Sequence, residues 1–239
     1  MTRFWSRAEL RCETVAAALA LIAVVALSTV VLVDPGLAGR LTVENGVVEW
    51  TQVLLEGAAV VLFAHHLVRG ASRVGHVSPL DVVIVASLVG LIIGEVDLDR
   101  VIFGTKITAI KFFVDARVAL VWRLLAALVV VGPPLAIGLL ALVRIRIFWR
   151  EGWAAIAQPW GRVLAASVAV AVLTELFERP LGHVPGVPRY FLEELLELVA
   201  TIGFLVSAIG RSLLPFSYGD ESGCSQHADP RARGGSGRR

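Results

Sequence analysis

The chain has 239 residues, of which 56% are hydrophobic and 18% are charged, and its mean hydropathy is +0.77. Soluble domains keep about a quarter of their residues charged, so this composition excludes an ordinary soluble globular protein and predicts the lipid bilayer as the first partner. The formal net charge of +2 is spread over separate blocks and gives no reason to expect a nucleic-acid partner.

The apolar residues form long runs without the alternation that membrane β-strands require, and therefore predict an all-α, polytopic transmembrane helical bundle. Six runs are each close to the roughly 20 residues that cross a bilayer: 14–33, 46–68, 80–96, 116–143, 161–176 and 191–213. The predicted organisation is an N-terminal cytoplasmic flank (1–13), a six-span domain (14–216) and a disordered cytoplasmic tail rich in Gly, Ser and Arg (217–239).

The distribution of Lys and Arg predicts the orientation of this bundle. Six spans place both termini on one side, and that side carries 14 of the 22 basic residues, against 7 on the other, with Arg123 inside a span. The positive-inside rule therefore predicts that both termini are cytoplasmic. The membrane is expected to be a bacterial-type inner (plasma) membrane. Trp149, Trp153 and Trp160 in the fourth loop are typical of an aromatic belt at the membrane interface.

An interfacial amphipathic helix is predicted between the third and fourth spans, because apolar and charged residues there recur at helical spacing. Gly90 and Gly94, at the end of the third span, have the small-xxx-small spacing that favours close approach of a neighbouring helix. The residues of the predicted amphipathic helix are Phe103, Ile107, Ile110 and Val114 on the apolar side and Arg100, Lys106, Lys111 and Asp115 on the charged side.

Acidic residues concentrate on the predicted outer side, which carries 13 of the 20 Asp and Glu residues. Glu49 and Glu56 lie on one face of the second span, and Glu194 and Glu197 on one face of the sixth. Because both spans run inward from the outer surface, each face carries carboxylates into the membrane. The candidate polar site comprises Glu49, Glu56, Glu95, Asp97, Asp99, Arg100, Arg123, Glu194 and Glu197.

Arg123 is the predicted ionic partner in this site. A charge near mid-bilayer costs on the order of 3 kcal/mol, so Glu56 must be paired, protonated or hydrated. Arg123 is expected at a similar depth and is predicted to pair with Glu56 or Glu197. Two interpretations stay open: an ion-pair network that fixes helix register, or an excess of carboxylates that binds a proton, a metal ion or a cationic group.

The histidines argue against a catalytic metal site. A zinc hydrolase needs about three ligands at one depth, whereas His65 and His66 fall at the cytoplasmic end of the second span, His76 in a cytoplasmic loop and His183 outside. This separation also disfavours a ceramidase-like hydrolase and a bis-histidine haem. His65 and His66 are interpreted as interfacial residues that reach towards water.

Two motifs resemble those of a group of bacterial multi-pass membrane proteins that has no assigned activity. Residues 44–50 read Glu-Asn-Gly-Val-Val-Glu-Trp and open the second span, and residues 95–100 read Glu-Val-Asp-Leu-Asp-Arg and end the third. The glutamate-rich start of the last span is also similar. Gly94 stands where other members often carry a basic residue. The resemblance implies a multi-pass membrane fold and no particular reaction.

Three classes of function follow from these residues. The leading hypothesis is a non-enzymatic protein that binds or transports a cation or proton through an outer-facing acidic cavity. The alternatives are an intramembrane enzyme acting on a lipid or isoprenoid headgroup, with Glu and Asp as acid/base groups or metal ligands, and a structural membrane subunit. The cofactor, substrate and oligomeric state are not fixed by the sequence.

Overall fold

The computed structural model describes residues 5–42, 46–74, 77–96, 112, 118–181 and 190–213. Within these ranges the secondary structure is helical and contains no strand, which confirms the predicted all-α class. The helices are α1 (Trp5–Val33), α2 (Pro35–Leu41), α3 (Val47–Val74), α4 (Pro79–Glu95), α5 (Leu120–Val143), α6 (Ile145–Ile156), α7 (Pro159–Leu181) and α8 (Phe191–Leu213).

The helix starts follow local capping chemistry. Ser78 caps α4, because its hydroxyl accepts a hydrogen bond from the Asp81 amide at 3.2 Å and Pro79 occupies the first turn. Asp34 caps the short helix α2 in the same way, accepting from the Leu37 amide at 2.9 Å. Helix α1 begins at Trp5, inside the flank that was predicted to precede the first span.

Helix α8 lies at the centre of the bundle, with its main contacts to α7, α3 and α1. Helix α4 packs against α3, and α5 packs against α4 and α6. The buried core between these helices includes Phe63, Leu88, Trp160 and Phe204, each at most 4% exposed. Because α8 contacts helices from both halves of the chain, it positions the polar groups described below.

Close approach of two helices is found at a glycine other than the predicted ones. No described atom lies within 4 Å of a Cβ built on Gly90 or Gly94, so the close approach predicted there is wrong within the described residues. Gly203 on α8 instead lies directly against Ser167 on α7, where a Cβ would overlap the serine hydroxyl. A small residue at 203 therefore lets α7 and α8 pack tightly.

Two helical segments are long and apolar enough to cross a membrane, Cys12–Val33 and Val47–Ser72. A third crosses if α6 and the start of α7 (Pro159–Thr174), which meet at a bend of 105°, form one broken span. Large apolar side chains are exposed along these helices, as at Leu32, which is 84% exposed. The described part of the chain therefore has two or three helical segments that could cross a membrane by length and composition, which indicates a membrane protein.

The two ends of the helical domain lie at the same end of the bundle. The thiol of Cys12 near the start of α1 contacts the carbonyl oxygen of Val206 at 3.7 Å, and it also lies beside Gly210 near the end of α8. The predicted amphipathic helix of residues 103–115, other than Phe112, and the predicted tail 217–239 lie outside the described residues.

Candidate functional site

The polar faces of α3 and α8 meet in the bundle. Gln52 is fully buried and donates a hydrogen bond from Nε2 to the Glu194 carbonyl oxygen at 3.0 Å. One turn further along α3, Glu56 is 3% exposed and its Oε1 accepts a hydrogen bond from Thr201 Oγ1 at 3.3 Å. The two contacts set α3 and α8 side by side and parallel, so both helices bring their first turns to one end.

Further carboxylates surround these contacts. The charge of Glu95, the last residue of α4, acts on both Glu56 and Glu194, and the charges of Glu49 and Glu193 act on Glu194. These five residues, Glu49, Glu56, Glu95, Glu193 and Glu194, form what we call the carboxylate cluster. The structure therefore brings together four of the predicted site residues, and adds Glu193.

Buried oxygens in the carboxylate cluster lack partners among the described residues. Glu56 Oε2 and Glu194 Oε2 have no hydrogen-bond partner there, and neither has Gln52 Oε1. In an apolar interior such an atom costs free energy unless water, a proton or an ion satisfies it. The arrangement is therefore chemically suited to take up a proton or a small cation.

The remaining predicted site residues are not members of the carboxylate cluster. Glu197 is half-buried on α8. Arg123, in the first turn of α5, donates from Nε to the Val118 carbonyl oxygen at 3.0 Å. Because the main contacts of α5 are with α4 and α6, its pairing with Glu56 or Glu197 stays a prediction. Three predicted members lie outside the described residues: Asp97, Asp99 and Arg100.

A second polar group lies at the opposite end of the same helices. Arg211 Nη2 on α8 donates to Asp81 Oδ2 on α4 at 3.1 Å, and its guanidinium stacks 4.7 Å from the centre of the Trp160 ring. His66 is 5% exposed, and the charges of Arg211, Asp81 and His65 act on it. We call His66, Asp81, Trp160 and Arg211 the Arg211 cluster.

Helix α6 closes this end of the bundle. Glu151 Oε2 accepts hydrogen bonds from Ser78 Oγ at 2.9 Å and from the Leu80 amide at 3.2 Å, which ties α6 to the start of α4. His66 was predicted to be an interfacial residue that reaches towards water, and its burial within the Arg211 cluster makes that prediction wrong. His65 is exposed, as the interpretation predicted.

The three tryptophans of the predicted aromatic belt differ in their exposure. Trp149 and Trp153 are 63% and 57% exposed and pack edge to face with ring centres 5.7 Å apart. Trp160 is 2% exposed and belongs to the core instead. The first two tryptophans therefore have the exposure expected at a membrane interface.

Charged residues inside an apolar span were the signal that identified Glu56 and Arg123, and the same signal applies to Arg211. Arg211 was missed because it was counted with the basic residues after the last span.

Within the described residues, no group of three or more His, Cys, Asp or Glu side chains has the geometry to hold a metal ion. Comparisons with protein-family models, curated proteins and solved structures find no match for this chain.

Proposed function

We propose that the chain is a six-span protein of a bacterial inner membrane that binds a proton or a small cation at the carboxylate cluster. In this proposal the spans are α1, α3, α4, α5, α7 and α8, which have 17 to 29 residues each. At 1.5 Å per residue, even α4 is about 25 Å long, close to the hydrocarbon thickness. Helix α6 lies along the interface as an amphipathic connection.

The position of basic residues supports cytoplasmic termini. Arg144, Arg146 and Arg150 are exposed on or beside α6, which is tied to the Arg211 end of the bundle. The start of α1 and the end of α8 lie at that same end. An excess of exposed Arg on one side is the pattern of a cytoplasmic face. In the proposal the carboxylate cluster therefore faces the outer side.

The observation that carries the binding proposal is the burial of Glu56. Its carboxylate is almost completely enclosed, one oxygen has no partner among the described residues, and the charge that Glu95 brings to it is of the same sign. Like charges in a low-dielectric region repel strongly, so the group is stabilised by a counter-charge. A bound proton or small cation supplies that charge.

Replacement of Glu56 by Gln tests the proposal. The matched control is Glu13→Gln, because Glu13 is an exposed carboxylate on α1, 42% accessible, away from the cluster. Purified protein in nanodiscs is examined by infrared difference spectroscopy for a protonated carboxyl band across pH, and by thermal unfolding with Na⁺, K⁺ or Ca²⁺ added.

We expect the parent and Glu13→Gln to show a buried protonated carboxyl band or stabilisation by one cation, and Glu56→Gln to lose it. The band identifies a proton as the occupant, and ion-specific stabilisation identifies a cation. A parent protein with neither signal, or a Glu56→Gln variant that keeps the parent's signal, leaves the cluster as a structural network and overturns the proposal.

A further inference from the structure

The unpartnered buried polar atoms of the described bundle fall into two groups at opposite ends. Those in the carboxylate cluster and Gln52 are described above. The others are Asp81 Oδ1, Arg211 Nε, Trp160 Nε1 and Ser207 Oγ, all at the Arg211 end. Ser207 is fully buried on α8, one turn before Arg211. Buried polar groups without protein partners are the usual positions of internal water, so both ends are suited to hold it.

A thin apolar layer separates the two ends. Along α3, Glu56 and His66 are ten residues, or about 15 Å, apart, and Thr201 and Arg211 have the same separation on α8. Between them Phe63 is fully buried and Phe204 is 4% exposed, and both belong to one hydrophobic cluster. Because α3 and α8 are parallel and Glu56 lies beside Thr201, Phe204 lies about 4.5 Å and Phe63 about 10.5 Å from that level. The two rings therefore follow one another along the bundle, and Ser207, at about 9 Å, lies between them.

We propose that the bundle carries a proton path in which the carboxylate cluster is the outer half, His66 and Asp81 form the inner half, and Phe204 and Phe63 form the apolar barrier between them, with the Ser207 hydroxyl inside that barrier. This proposal rests on the proposed function and commits it to the proton as the transported species. All the polar groups on the route are carboxyl, hydroxyl or imidazole groups, which exchange protons with water.

The transfer involves protons alone. A proton from the outer water binds the Glu56 carboxylate, which faces Glu95 on α4 and Thr201 on α8. Glu194 on α8, in the same cluster, faces Glu49 on α3, Glu95 on α4 and its own neighbour Glu193. The proton then moves through transient water to the Ser207 hydroxyl inside the apolar layer, passes on to His66 or Asp81, and leaves to the cytoplasm.

The receiving groups at the inner end face their own set of charges. These are His65 on α3, Arg211 on α8 and Glu151 on α6. The Glu151 carboxylate accepts a hydrogen bond from the hydroxyl of Ser78, which caps the start of α4. No bond other than O–H and N–H is made or broken, and no electron is transferred. The membrane potential or the pH difference supplies the driving force.

The test measures proton flux into liposomes that contain the purified protein and an internal pH-sensitive dye. A K⁺ gradient with valinomycin imposes the membrane potential. The main variant is Ser207→Ala, which removes a buried hydroxyl without a partner and so should leave the fold intact. Its matched control is Ser87→Ala, at an exposed serine on α4. Asp81→Asn is the second variant.

We expect protein-dependent flux in the parent and in Ser87→Ala, a loss of at least about tenfold in Asp81→Asn, and a several-fold loss in Ser207→Ala. Phe63→Leu, which thins the barrier, should raise the flux. The infrared signal of the protonated carboxyl in the carboxylate cluster should be unchanged in Ser207→Ala.

Two results overturn the path. One is a parent protein that keeps the signal of the carboxylate cluster but conducts no protons. The other is a Ser207→Ala or Asp81→Asn variant that unfolds normally and conducts as the parent does. Both results leave the proposed binding at the carboxylate cluster intact and contradict only the proton path. Absence of the cluster signal in the parent protein contradicts the proposed function itself.

Discussion

Arg211 and Arg162 differ in what surrounds them, although each pairs with a carboxylate. The Arg211–Asp81 pair has side chains that are 20% and 4% exposed, and the guanidinium also stacks on Trp160. The Arg162–Glu13 pair spans 2.5 Å, and its side chains are 47% and 42% exposed. A buried charge that loses its partner is costly, whereas water takes the place of a partner at an exposed position.

Replacement of Arg211 by Met is therefore expected to destabilise the protein strongly, by on the order of 3–5 kcal/mol, because Asp81 is left as an uncompensated buried carboxylate. Arg162→Met, the matched control, should cost less than about 1 kcal/mol. Reversible unfolding in mixed micelles gives both values. The double variant Arg211→Met, Asp81→Asn should recover part of the loss, and strictly additive effects would contradict the pairing.

Gly203 is a second position where a single atom matters. A methyl group there would overlap the Ser167 hydroxyl, so Gly203→Ala should destabilise by about 1–3 kcal/mol, the range for overpacked sites. Gly57→Ala on α3, where no described atom lies within 4 Å of the added Cβ, should be neutral or stabilising by up to about 1 kcal/mol. Thermal unfolding of the two glycine variants and the parent compares their stabilities. Ser167→Ala should partly rescue Gly203→Ala, and equal stability of the two glycine variants would count against the close contact.

At the level of the elements, hydropathy predicted where the long helices lie. The six apolar runs coincide with α1, α3, α4, α5, α7 and α8, because a long apolar run in lipid has to satisfy its backbone within one helix. Hydropathy does not encode which helices touch. It therefore left open the pairing of α3 with α8, and α6 was treated as a loop because its charged and aromatic residues are as typical of an interfacial loop as of an amphipathic helix.

The same limit applies to the candidate site. Glu56 and Glu194 were identified from charges at helical spacing, and their convergence depends on the contact between α3 and α8. Asp81 was not identified, because a carboxylate three residues after Ser78 is what an ordinary helix start contains. Its role became visible only when α8 brought Arg211 against it.

The bend between α6 and α7 depends on Gly161. A Cβ at this position would overlap the carbonyl group of Ala155 at the end of α6. Gly161→Ala should therefore open the 105° bend and move α6 away from α4, with a loss of stability larger than for Gly152→Ala on α6, where the added Cβ meets no described atom within 4 Å. Thermal unfolding and a pair of spin labels on α4 and α6 measure the two effects. An unchanged label distance would contradict this role.

The molecule as a whole is a bundle whose ends differ in charge. Carboxylates collect where α3 and α8 begin, and exposed arginines collect where α6 joins the start of α4. Such a distribution orients a membrane protein during insertion, because translocation of basic residues is disfavoured. The proposed six-span topology can be tested on this basis without knowledge of the activity.

Reporter fusions placed after successive segments should alternate in location. Fusions after Arg73 and Arg150 should report from the cytoplasm, and fusions after Arg40, Lys106 and Val187 from the outer side, because each proposed span reverses the direction of the chain. A fluorescent reporter and a periplasmic phosphatase at each site provide complementary readouts. Periplasmic activity of the fusion after Arg73 would rule out the six-span arrangement.

The parallel contact of α3 with α8 has a consequence for synthesis on the ribosome. Thr201 follows Glu56 by 145 residues, so at about 5–20 residues per second the hydroxyl emerges roughly 7–30 s after the carboxylate. Throughout that interval the polar face of α3 lacks the helix that covers it in the complete bundle. We therefore expect a chain truncated before α8 to be less stable than the full chain, because the side chains of Gln52 and Glu56 then lack their hydrogen bonds to α8.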